Sequence, residues 1–213
     1  MLDGFFVSGT DTNIGKTIVS AILVKKLNAS YHKPIQCGTN SFNEKDSDVI
    51  KRICRECSII RETYFLKNPL SPNIASKIEK KKIDLKKILD IKKTNIKQKI
   101  IIEGAGGLQV PINSKFLMSD LISKFNLPLI LVCRTQLGTI NHTLLSLEIL
   151  KIKNIHLHGL VFVGDENLEA IETIKFFGKK ILKTNVNVLA RLPIAKKFGK
   201  KEVDKYQIYF ESI

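Results

Sequence analysis

An open, mostly parallel sheet with helices on both faces is the fold this sequence predicts, on three observations. Strand-like and helix-like segments alternate along the chain, the pattern of a doubly wound α/β domain. Apolar runs such as Pro128-Leu129-Ile130-Leu131-Val132 are continuous rather than alternating, as strands covered on both faces require. The first apolar run, Phe5-Phe6-Val7, leads through Ser8 into Gly9-Thr10-Asp11-Thr12-Asn13-Ile14-Gly15-Lys16-Thr17, which opens a helical pattern from Lys16 to Leu27. A glycine-containing loop between a strand and a helix N-terminus is a phosphate site. Its N–H groups point inward and the helix dipole favours negative charge.

That loop makes the predicted fold a P-loop NTPase domain. Lys16 is placed to reach the outer phosphates, and Thr17 offers a hydroxyl to Mg²⁺. Five residues rather than the usual four separate Gly9 from Gly15. The Gly15-Lys16-Thr17 core that touches phosphate and metal is unchanged.

The elements follow in order. A short second strand precedes Lys33-Pro34, and a helix covers about Asp48–Cys57. Asn68–Pro72 is a loop, Ile74–Ile78 begins another helix, and Leu85–Lys93 continues the helical region. Lys99–Glu103 is the strongest strand. Helix Ser119–Phe125, strand Leu129–Cys133, helix Asn141–Ile152, strand Leu157–Val163, helix Leu168–Phe177 and strand Val186–Leu189 complete the alternation. No repeat or long linker interrupts it, so residues 1–213 form one domain.

Composition narrows the function. The net charge is +15, but 30 of the 35 basic residues are Lys and only 5 are Arg, a poor set for bidentate recognition of nucleic acid. Lysines between 77 and 99 alternate with apolar residues at helical spacing and form a solvated face. The charge suits an anionic ligand such as ATP. No stretch is long and apolar enough to span a membrane, and Met1-Leu2-Asp3-Gly4 is no signal peptide, so a cytoplasmic chain is expected. Cys54-Arg55-Glu56-Cys57 lacks a second ligand pair and reads as two residues on one helical face. His156 and His158 read as structural, and Cys133 as core.

In a doubly wound sheet, ligands sit beyond the carboxyl ends of the strands. Glu103 ends such a strand and runs into Gly104-Ala105-Gly106-Gly107. An acid there, beside a P-loop, is suited to bind magnesium or orient a reactant. Asp46 and Asp48 follow the second strand and either cap a helix or complete an oxygen-ligand set with Thr17 and Glu103. Lys33, held extended by Pro34, adds positive charge at the same crevice. Gly138-Thr139-Ile140-Asn141 opens a second helix N-terminus suited to a carboxylate.

Taken together, Gly9–Thr17, Lys33-Pro34, Asp48, Ser71-Pro72, Glu103–Gly107 with Val110-Pro111-Ile112, and Leu137-Gly138-Thr139-Ile140-Asn141-His142 resemble the dethiobiotin synthetases, in order from about residue 5 to 195. The resemblance implies that ATP, CO₂ and 7,8-diaminononanoate give dethiobiotin, ADP and phosphate. It implies ATP contacts from Thr12, Asn13, Ile14, Gly15, Lys16, Thr17 and Ile18, from Asp48 and Glu103, and from Gly104, Ala105 and Gly106. Val163, Gly164, Pro193, Ile194 and Ala195 would hold the nucleoside. Thr17, Asp48 and Glu103 would bind Mg²⁺, Lys16 and Lys33 would act on the transferring phosphoryl group, and Cys37, Gly138, Thr139, Ile140 and Asn141 would bind the diamine substrate. A homodimer with a shared active site is also implied, with neither nucleic acid nor membrane as partner.

The chain departs from the family pattern in three places. Cys37 stands where a Ser or Thr is common, Val163-Gly164 where an Asn-Asp pair reads the base, with Asp165 shifted by one, and Asn13 where a glutamate is frequent. The other reading is a switch-type P-loop ATPase of the partition or iron-protein kind. Asp11 stands where those carry a second loop lysine, and Gly138–Asn141 resembles a substrate loop.

Overall fold

The computed structural model describes residues 2–94, 96–195, 198–210 and 213. In chain order the elements are β1 (Gly4–Gly9), α1 (Lys16–Lys26), β2 (Ser30–His32), β3 (Ile35–Cys37), α2 (Asp46–Ile53), β4 (Ile59–Ile60), β5 (Tyr64–Leu66), α3 (Pro72–Ile78) and α4 (Leu85–Leu89). After a 3-10 turn come β6 (Ile100–Gly107), α5 (Met118–Phe125), β7 (Leu129–Arg134), α6 (Thr139–Ile152), β8 (Leu157–Val163), α7 (Leu168–Leu182), β9 (Val188–Leu192) and α8 (Lys200–Tyr206).

Seven strands form one sheet in the order β4-β2-β6-β1-β7-β8-β9, with every pairing parallel. Period-two alternation divides the core between its faces. Phe5, Val7, Ile101, Ile130 and Val132 pack against α1, α2 and α8 through Ile22, Ile50 and Val203. Phe6, Ile100, Ile102, Leu129 and Leu131 pack the other way, against Leu121, Leu147 and Ile174 of α5, α6 and α7. Both layers are buried, which is why the strands read as continuous apolar runs.

The chain leaves β1 toward β2 on one side of the sheet and leaves β7 toward β8 on the other. Between β1 and β7 lies the switch point, where a crevice opens at the carboxyl ends of the strands. The P-loop follows β1, and Thr135–Gly138 follows β7.

Several elements differ from expectation. Helix α2 ends at Ile53, so Cys54 and Cys57 lie in the turn that follows, with the buried Cys54 Sγ 3.4 Å from the Ala21 carbonyl. A small parallel pair, β3 with β5, stands beside the main sheet, where three-residue strands carry too little pattern to be read. Beyond the last expected strand lies α8, whose Val203 and Tyr206 are buried with α1.

Candidate active site

Gly15 precedes the first residue of α1 at φ 96°, a left-handed conformation that favours glycine. Asn13 is also left-handed, at φ 52°, which explains an Asn in this loop on conformational grounds alone. No acid occupies the first turn of α1, so the dipole and free N–H groups face the crevice unopposed. The Lys16 ammonium donates to the Asp11 carbonyl at 2.6 Å. Burial and then the nearby charge of Lys33 lower its pKa to about 8.

Opposite Lys16 lies a buried ionic cluster. Glu103, on β6, is 1% exposed. Its Oε1 accepts from Thr17 Oγ1 at 3.0 Å and Lys33 Nζ at 2.9 Å, and its Oε2 accepts from the Tyr31 hydroxyl at 2.9 Å. Lys33 also donates to Asp46. Burial alone would discharge Lys33, but Glu103 and Asp46 outweigh it and raise its pKa, so the ammonium persists. Burial works against the Asp46 carboxylate too, yet Lys33 beside it brings its pKa below the usual carboxylate value. Burial and then the Glu103 charge push the Tyr31 phenol well above its ordinary pKa, keeping it a neutral donor.

The carboxylate facing this cluster is Asp46 and not Asp48. Asp48 turns back to accept the Lys45 N–H at 2.9 Å and closes the N-terminus of α2, with its side chain 51% exposed. Residues two apart on a helix point to nearly opposite sides, so only one of the pair can face the crevice. The sequence did not indicate which. Asp46, Glu103 and Thr17 therefore meet at this cluster, while Asp48, expected beside Thr17 and Glu103, caps α2. Two carboxylates and a hydroxyl fit Mg²⁺, which keeps water and phosphate oxygens in its shell rather than demanding an all-protein cage. Among the described residues, no group of three or more His, Cys, Asp or Glu side chains forms such a cage.

Cys37 ends β3 half-buried on the Lys33 side of the crevice. Burial pushes its thiol up to about 11, so it is neutral. Gly104, Ala105 and Gly106 continue β6 past Glu103 toward the P-loop, where Gly107 pairs with Gly9. Beyond β7, Gly138 at φ 94° precedes α6, and the Thr139 hydroxyl donates to the Arg134 carbonyl at 2.5 Å. Ile140 is half-buried and Asn141 exposed. The Arg134 guanidinium donates to the Thr12 carbonyl at 2.7 Å. Residue 134 thus ties the P-loop to the start of α6.

At the other end of the crevice, a cavity of about 320 Å³ brings Asn13, Ile14, Gly15 and Ile18 together with Val163, Gly164, Pro193, Ile194 and Ala195. The phosphate loop and the expected nucleoside contacts are therefore contiguous. Phe198 and Tyr206 also line this cavity, and sequence reasoning missed both. They belong to a C-terminal segment whose place is set by packing on α1. Tyr31 and Arg134 were missed as well, Tyr31 in the middle of the short β2 and Arg134 as the one polar residue ending the apolar β7.

Comparison with known proteins gives the family and the fold. A family model described as an AAA domain matches residues 3–202. The ATP-dependent dethiobiotin synthetase BioD of Lawsonia intracellularis is 43% identical over 189 residues, covering 89% of this chain and 87% of that protein. Its namesake from Christiangramia forsetii is 39% identical, covering 97% and 95%. Among solved structures, a putative plasmid partition protein from Borrelia burgdorferi superposes with a TM-score of 0.57 at 11% identity, covering 99% of this chain and 98% of that one. A ParA family ATPase from Chlorobium tepidum gives 0.53 at 11%, covering 99% and 90%. At such identity these two show the fold alone. With its P-loop, buried Lys33–Glu103 pair and full-length relatives, the chain belongs to the ATP-dependent dethiobiotin synthetase family.

Proposed function

We propose that this crevice forms the ureido ring of dethiobiotin from 7,8-diaminononanoate, CO₂ and ATP, releasing ADP and phosphate. The observation that carries the reading is Lys33, a buried ammonium fixed between Glu103 and Asp46 across from the P-loop. One substrate amine adds to CO₂ and loses a proton, giving a carbamate. A carbamate oxygen then attacks the γ-phosphorus and ADP leaves. The second amine attacks the carbamoyl carbon, the ring closes and phosphate departs with its oxygen.

The residues act by position and charge, which is nearly all that in-line phosphoryl transfer requires. Lys16 leaves the Asp11 carbonyl for the outer phosphates of ATP, and the N–H groups at the start of α1 hold the remainder. Lys33 turns toward the carbamate and offsets the charge that builds on the transferring oxygens. Thr17, Glu103 and Asp46 would hold Mg²⁺, which would supply charge neutralisation to the triphosphate. Tyr31 keeps Glu103 oriented. The N–H groups opening α6 at Gly138–Asn141 receive the substrate carboxylate, and neutral Cys37 lines the diamine end.

A homodimer is part of this proposal. Leu137 beside the substrate loop and, farther along α6, Leu145 and Ile152 are exposed large apolar residues that a second copy would cover. So is a cytoplasmic setting, in keeping with four cysteines that are all free. No described helix is long and apolar enough to cross a membrane.

The test is ADP release with Mg²⁺, ATP and bicarbonate, with and without 7,8-diaminononanoate, with dethiobiotin detected by mass spectrometry. Diamine-dependent ADP release with matching dethiobiotin is expected. ATP hydrolysis indifferent to the diamine would move the reading to a switch-type ATPase.

A further inference from the structure

We infer that this chain grips its nucleotide by the phosphates and by ring shape and does not read the identity of the base, with Val163 as the residue responsible. GTP, CTP and UTP would then support the reaction beside ATP. The inference rests on the proposed reaction only for its activity readout.

The cavity that continues from the P-loop is the place where a base attached to those phosphates lies. At about 320 Å³ it suits a single ring system. Its wall is apolar: Ile18, Val163, Pro193, Ile194, Ala195 and Phe198. The polar side chains around it are either occupied or in water. Arg134 gives one guanidinium N–H to the Thr12 carbonyl at 2.7 Å, and its side chain is 40% exposed, so its other donors bond water as readily as a base. Asn13, Gln136 and Asp165 are exposed at the mouth, where a bond to a base only replaces a bond to water. Tyr206 carries a hydroxyl that both donates and accepts, so it suits either kind of base edge. The Gly164 N–H already donates to the Leu192 carbonyl at 3.0 Å.

Of the two residues that end β8 and follow it, only position 163 can turn a side chain toward the loop. Gly164 cannot: at φ 146°, a Cβ there would lie 2.1 Å from Thr135 Oγ1. Val163 does face the loop, its methyls 3.3 Å from the point where a Gly15 Cβ would stand. It presents only hydrocarbon. A site built to hydrogen-bond a group rejects analogues lacking it by about 10⁴–10⁵, whereas an apolar wall separates ligands by about 10–200-fold at most.

The experiment compares kcat/KM for ATP, GTP, CTP and UTP with Mg²⁺, bicarbonate and 7,8-diaminononanoate, in the full chain and in Val163→Asn. Dissociation constants of the four non-hydrolysable triphosphate analogues are measured by calorimetry alongside. Expected for the natural chain is a spread within about tenfold in both quantities, widened in Val163→Asn toward one base. A preference for ATP beyond about 200-fold, more than an apolar wall supplies, overturns the inference and assigns base reading to hydrogen bonds from the main chain of Pro193–Ala195. Absence of turnover with every triphosphate counts against the proposed reaction, not this inference; the calorimetric spread then decides it by the same limits. If Val163→Asn does not fold, the spread in the natural chain carries the decision.

Discussion

The two ends of the crevice are built on opposite physical terms. At the phosphate end, around β1, β2 and β6, charges sit in the protein interior: Lys16, Lys33 and Glu103 are all under 8% exposed. Each is held by at least one side-chain hydrogen bond to a neighbouring strand or loop. At the nucleoside end, beyond β8 and β9, the wall is apolar and Pro193 and Ile194 are exposed. A charge buried that deeply is tolerated only when paired, so the phosphate end fixes geometry and tolerates few substitutions. The nucleoside end gains contact area without fixed partners. Chemistry is assigned to the rigid part and recognition to the permissive part.

Substitutions at the phosphate end test that contrast most severely. Lys16→Ala and Lys33→Ala are each expected to lower turnover by about 10²–10³-fold or more, since each removes a charge aimed at the transferring phosphoryl group. They part company in stability. Lys16 bonds only a carbonyl, so Lys16→Ala should keep its unfolding midpoint. Lys33→Ala leaves Glu103 and Asp46 without their cation and should cost about 3–5 kcal/mol in denaturant titration. Equal stability of the two variants would show that the cluster is not the rigid unit described here.

Within α2 the contrast narrows to two residues. Asp46→Ala is expected to reduce kcat about 10²-fold by removing an oxygen from the cluster. Asp48→Ala should cost about 1 kcal/mol of stability through loss of the helix cap, with little change in kcat. The reverse ranking in steady-state kinetics would return the metal-facing role to Asp48.

A pH titration probes the strand beneath the cluster. His32 is 1% exposed, bonds the Ile60 carbonyl through Nδ1 at 3.3 Å, and finds no partner for Nε2 among the described residues. Burial lowers its pKa to about 4 from the ordinary 6.5. The unfolded chain therefore takes up the proton first as pH falls. The stability from neutral His32 is complete above about pH 6.5 and is lost between there and about 4, amounting to about 3 kcal/mol. Unfolding midpoints measured across that window should show the slope, and His32→Gln should flatten it.

The smallest effect is expected at Cys37. Its neutral thiol is a weak donor, so Cys37→Ser should leave the KM for the diamine unchanged or lower it. A clear rise in KM would reveal a requirement for the apolar thiol.

Much of this protein is legible in its residues alone. Continuous apolar strands follow from burial on both faces, and the Gly9–Thr17 loop carries its chemistry in residue types that no other context explains as well. Glu103 stands out because an acid ending a run of three isoleucines has to have a partner. These are local signals, and local signals survive in sequence. What only the tertiary structure decided depends on distance between segments. It chose Asp46 over Asp48, because helix phase relative to the sheet settles which side chain faces inward. It placed Tyr31 beneath Glu103 across 72 residues, and Arg134 on Thr12 across 122. It also folded the C-terminal segment over α1, so that Phe198 and Tyr206 close a cavity to which their own sequence gives no clue. Periodicity reports how each element meets the core. The meeting of two polar side chains from distant segments leaves no such periodic mark, and the packing of the sheet and its helices decides it.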